Sequence, residues 1–63
     1  MSEHNASEVP VVGSVVRTIY GDRQVMDVLT PPDREHAMVY IRPVGGGREA
    51  TVRLSEWPRV VSS

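Results

Sequence analysis

The sequence predicts an all-β domain, a small five-stranded antiparallel barrel with a short 3-10 turn before the last strand. Three observations predict it. Valine, threonine and tyrosine recur from residue 13 onward, and these residues fit a pleated surface. Glycine, proline and aspartate clusters cut the chain into short runs. No stretch of useful length repeats apolar residues at helical spacing.

The elements follow in order. Residues 1–8 are polar and acidic and read as a disordered tail, leaving residues 9–63 as the single domain. A secretory leader starts basic and turns apolar, so this start reads as cytoplasmic. Asn5-Ala6-Ser7 matches a glycosylation acceptor, which matters only on a secreted chain. The first strand is expected over residues 14–20 and the second over residues 24–30. A three-residue loop, Gly21-Asp22-Arg23, sets Arg17 opposite Asp27, Ile19 opposite Val25 and Val15 opposite Leu29. Opposite charges facing across strands favour that register over a two-residue loop, which would set Val16 against Asp27. Both faces of this hairpin are partly apolar, so its core face stays open.

Pro31-Pro32 excludes a central strand and marks residues 31–35 as a loop. The third strand is expected over residues 36–44. Ala37, Val39 and Ile41 share one face, and His36, Met38, Tyr40 and Arg42 share the other. Gly45-Gly46-Gly47 reads as a tight hairpin, because glycine reaches positive φ without penalty. A phosphate-cradling loop would need a following helix and a Lys-Ser/Thr pair, and both are missing. The fourth strand, over residues 48–54, has the clearest alternation. Ala50, Val52 and Leu54 are expected inward, with Glu49, Thr51 and Arg53 outward. Ser55-Glu56-Trp57 reads as one 3-10 turn, and residues 58–61 as a last strand with Pro58 at its start.

This layout resembles the Src-homology-3-type small barrels, the group that includes Tudor and KOW modules. The resemblance covers residues 10–61. It rests on Val12-Gly13-Ser14-Val15-Val16-Arg17 as the opening, on the glycine hairpin, and on Leu54-Ser55-Glu56-Trp57-Pro58-Arg59-Val60 before the last strand. It implies a fold and no activity. Type II dihydrofolate reductase shares the architecture and works as a tetramer through a Val-Gln-Ile-Tyr stretch. The positions that align here read Thr51-Val52-Arg53-Leu54, without the glutamine or the tyrosine. The residues that would bind nicotinamide cofactor and substrate therefore do not carry over.

Composition narrows the function. At 63 residues the chain buries little surface, and a partner is one remedy for a small core. There is no cysteine, so disulfides and thiolate metal sites are excluded. No run approaches the roughly 20 apolar residues of a membrane helix. All seven basic residues are arginine, the bias expected from a GC-rich genome, and the formal net charge is −1. A strong non-specific nucleic-acid binder would carry a basic excess.

Catalysis has little to use. His36 stands alone, and Ser14, Thr51 and Ser55 have no evident base. Asp33, Glu35 and His36 on a loop tip do not make a metal site. The sequence calls for no cofactor. The expected role is a non-catalytic adaptor that binds a protein partner or a second copy of itself. The surface expected to do so is the sheet face of Met38, Tyr40, Arg42, Thr51 and Arg53, residue types suited to an interface. The alternative is a nucleic-acid module using Arg17, Arg42, Arg48, Arg53 and Arg59. Trp57 is expected to cover one end of the core.

Overall fold

The computed structural model describes residues 9–62. The tail expected over residues 1–8, with the acceptor motif inside it, lies outside the described residues, as does Ser63. Four strands form one antiparallel meander in the order β1-β2-β3-β4. They are β1 (Val15–Thr18), β2 (Gly21–Leu29), β3 (Met38–Pro43) and β4 (Ala50–Arg53). A 3-10 turn (Leu54–Glu56) runs directly into one helical turn, α1 (Trp57–Val60). The sheet is open and does not close into the expected five-stranded barrel, so the expectation holds only as far as a small, mostly β domain.

The expected fifth strand does not form. Pro58 lies in the first turn of α1, where its missing N–H would have had no helical partner in any case. After α1 the chain touches β1 at a single bridge, Thr18 to Val61. Ile19 N–H donates to the Val60 carbonyl at 2.9 Å, and Ser62 N–H donates to the Arg17 carbonyl at 2.9 Å.

The first hairpin also differs from expectation. Its register pairs Val15 with Gln24, Arg17 with Asp22 and Thr18 with Gly21. The turn is therefore Ile19-Tyr20, and Gly21-Asp22-Arg23 belongs to β2. Two causes are visible. The Thr18 hydroxyl donates to the Gly21 carbonyl at 2.8 Å and accepts from the Tyr20 N–H at 3.0 Å, which ties the turn from inside. Gly21 takes φ +111°, a conformation that favours glycine at the turn exit. Arg17 does face an acid across the strands, but the acid is Asp22, with Nε to Oδ1 at 3.7 Å.

β2 carries a bulge between Val25 and Asp27. One extra residue, Met26, changes the phase of the strand. Val25 faces Ile41 and Val28 faces Val39, so both valines reach the core although they stand three apart. Asp27 turns to the other face beside Tyr40. Asp27 Oδ1 accepts from the Val28 N–H at 3.0 Å just after the bulge.

The core is small. Val25, Val39, Ile41, Trp57 and Val60 are buried together, with Val16, Val28, Val52, Leu54 and Val61 packed against them. Trp57 is 2% exposed and is the largest buried side chain, so it covers the core as expected. The core face of the first hairpin is the one that carries Val16, Thr18 and Val25. Val39, Ile41, Val52 and Leu54 face inward as the alternation requires, whereas Ala50 is exposed near the end of its strand.

The β3–β4 connection is longer than a tight hairpin. It spans residues 44–49, because β3 ends at Pro43 and β4 starts at Ala50. Gly46 N–H donates to the Pro43 carbonyl at 3.1 Å, closing a turn with Gly45 at φ +93°. Positive φ at that third position is what a type II turn needs. Residues 31–34 close a turn with the same hydrogen-bond span but without positive φ, Arg34 N–H donating to the Pro31 carbonyl at 3.1 Å.

Candidate interaction edge

The outer face of the sheet is built in rows. Asp27, Tyr40 and Thr51 stand side by side across β2, β3 and β4. Leu29, Met38 and Arg53 form a second row, and Gln24 stands beside Arg42 in a third. The five residues expected to form an interface thus do share one face. They do not share one exposure. Met38 is 6% exposed, which corrects the expectation that it presents surface to a partner. It sits on the central side of the sheet, flanked by Leu29 and Arg53 on its two neighbours. Tyr40 and Arg42 are half-buried, and only Thr51 and Arg53 are exposed.

Those two residues lie on β4, an edge of the sheet. The ladder fixes where their backbone points. Leu54 N–H donates to the Ala37 carbonyl at 2.9 Å. Bonded pairs alternate in an antiparallel ladder, so the next bonded pairs are Val52 with Val39 and Ala50 with Ile41. Thr51 and Arg53 therefore aim their N–H and C=O groups away from β3. No strand covers that side of β4 among the described residues. The other edge strand, β1, has the Val61 bridge beside it.

A cleft of about 280 Å³ runs beside the β4 edge. Ile41, Ala50 and Val52 give it an apolar floor, and Tyr20, Arg23 and Arg48 stand around it. The first hairpin turn delivers Tyr20, which is 58% exposed. Sequence reasoning missed Tyr20 and Arg23 as site residues because it started the turn at Gly21, two residues later than Ile19. A second opening of about 480 Å³ lies between Val9, the Glu35-His36-Ala37 stretch, Leu54, Ser55 and Pro58. His36 is the only imidazole there and Ser55 the only hydroxyl, and no hydrogen bond joins the two among the described residues.

The arginines proposed for nucleic acid are spread over the fold. Arg17 lies on β1, Arg42 on β3, Arg48 in the loop before β4, Arg53 on β4 and Arg59 on α1. Arg17 has Asp22 beside it, and Arg59 Nη1 lies 3.6 Å from Glu56 Oε1. Among the described residues no group of three or more His, Cys, Asp or Glu side chains could hold a metal ion. No helix among them is long and apolar enough to cross a membrane.

No family model matches the chain, and neither a curated protein nor a solved structure matches it.

Proposed function

We propose that the chain is a non-catalytic protein-binding module that receives an extended segment along the outer edge of β4. The observation that carries this reading is the free edge at Thr51 and Arg53, running beside the apolar cleft at Ala50 and Val52. An added strand would take its main-chain hydrogen bonds from the edge and its specificity from the neighbouring cleft. The four-strand meander, the 3-10 turn and the return of the chain to β1 support a Src-homology-3-like outline that lacks a true fifth strand.

The test is a pull-down with tagged wild type and with Thr51→Pro, each with and without nuclease, read by mass spectrometry. Proline at 51 removes an outward N–H that β3 does not use, and edge strands accept proline. A protein captured by wild type, retained after nuclease and lost with Thr51→Pro is the expected result. Equal capture by both forms overturns the reading. Nucleic acid is the second reading, favoured by Tyr20 with Arg23 and Arg48 around one cleft, a ring and two guanidiniums. Capture that disappears with nuclease would support it.

A further inference from the structure

We infer that the occupant of the β4 edge is a second copy of the same edge, paired antiparallel about a two-fold axis through Thr51. This rests on the reading of β4 as an interaction edge and names its partner.

The argument starts from the residue order Glu49-Ala50-Thr51-Val52-Arg53. Laid antiparallel against itself with Thr51 opposite Thr51, this segment is complementary. Glu49 faces Arg53 of the second copy, and Arg53 faces Glu49. Opposite charges directly across two strands are favourable, and so is a threonine pair. Ala50 faces Val52 on the opposite, cleft-side face, so the apolar floor of each cleft continues into the other copy.

The backbone agrees with this register. Thr51 and Arg53 point their N–H and C=O groups outward, so Thr51–Thr51 falls at a bonded position of the new ladder. Arg53 offers its outward groups where Glu49, the residue just before β4, would extend the strand. The neighbouring registers lack the charge match. Sliding by two residues sets Arg53 against Thr51 in one direction and against Gly47 in the other. Glu49, Thr51 and Arg53 are all exposed. Among the described residues Glu49 and Arg53 have no ion-pair partner.

Charges on an edge strand ordinarily block self-pairing when like charges meet. Here their order brings unlike charges together, so the same side chains specify one register. The resulting interface is isologous, closes at two copies, and would join two four-stranded sheets into one.

The test is analytical ultracentrifugation over a concentration series with charge-reversal variants. Glu49→Arg places two arginines opposite each other at both ends of the pairing, and Arg53→Glu places two glutamates there. Each single variant is expected to weaken dimerisation about tenfold or more. The double variant E49R/R53E restores complementarity and the dimer. An equimolar mixture of the two single variants is the sharpest case, because each is self-repelling while the two suit each other, so a heterodimer is expected. Circular dichroism confirms that each variant remains folded. The inference is overturned by a wild type that stays monomeric, by a dimer that survives both single reversals, or by a mixture that stays monomeric. A monomeric wild type that still captures a foreign protein through Thr51 overturns the inference alone and leaves the edge reading standing.

Discussion

Replacing Thr18 by valine probes the device that sets the first hairpin. The exchange is close to isosteric and trades only a hydroxyl for a methyl group. Thr18 is 4% exposed, and its hydroxyl makes two hydrogen bonds, to the Gly21 carbonyl at 2.8 Å and from the Tyr20 N–H at 3.0 Å. A net contribution of about 0.5–1.5 kcal/mol is typical of one such bond. Both bonds are part-buried, so the two groups left behind keep only partial access to water. Together these give a loss of about 1.5 kcal/mol, or a fall in Tm of about 6–12 °C for a domain of this size. Thr18→Ser is the control. It keeps the hydroxyl and loses one methyl group, about 0.8 kcal/mol. Thermal melts followed by circular dichroism should rank wild type above serine and serine above valine. A valine variant as stable as wild type would refute the claim that the hydroxyl fixes the turn at Ile19-Tyr20.

Other substitutions follow from the same structure. Trp57→Ala removes the largest buried side chain and should cost about 3–5 kcal/mol, enough to leave so small a domain largely unfolded by circular dichroism. Met38→Ala should cost about 2–3 kcal/mol in a urea melt, because Met38 is buried, while Thr51→Ala on the exposed edge should stay within about 0.5 kcal/mol. Gly47→Ala should destabilise more than Gly46→Ala. Both positions have positive φ, but a Cβ at Gly47 would meet Pro43 Cγ at 3.1 Å, and one at Gly46 would meet nothing within 4 Å.

The sequence made the central sheet legible where one residue type repeats with period two. Val39 and Ile41 on one side, and Thr51 and Arg53 on the other, follow from alternation alone. Alternation says which face a residue takes and not how deeply it lies. Met38 shares a face with Arg53, and with Tyr40 and Arg42 on its own strand, and is nonetheless the one of the four that is buried. The first hairpin was misread because isoleucine and tyrosine are not turn residues by composition. The signal lay one residue to each side, in the Thr18 hydroxyl and in Gly21. Valines three apart in β2 could have announced the bulge, since no regular strand sends both to one face. Pro58 suits a strand edge and a first helical turn equally well, and the burial of Trp57 and Val60 on one short helix accompanies the helical choice. Tyr20 and Arg23 joined the candidate site only once the turn was placed correctly.

The central claim is that β4 offers a free edge that a second copy fills. Amide hydrogen exchange at Thr51, Val52 and Arg53, measured by NMR at low and high protein concentration, tests it most directly. In the dilute chain Val52 should be protected by β3 while Thr51 and Arg53 exchange freely. Raising the concentration should slow Thr51 and Arg53 much more than Val52, which gains only from the added stability of the dimer. Thr51 and Arg53 amides that are already protected in the dilute chain, or that exchange at the same rate at every concentration, would contradict the account.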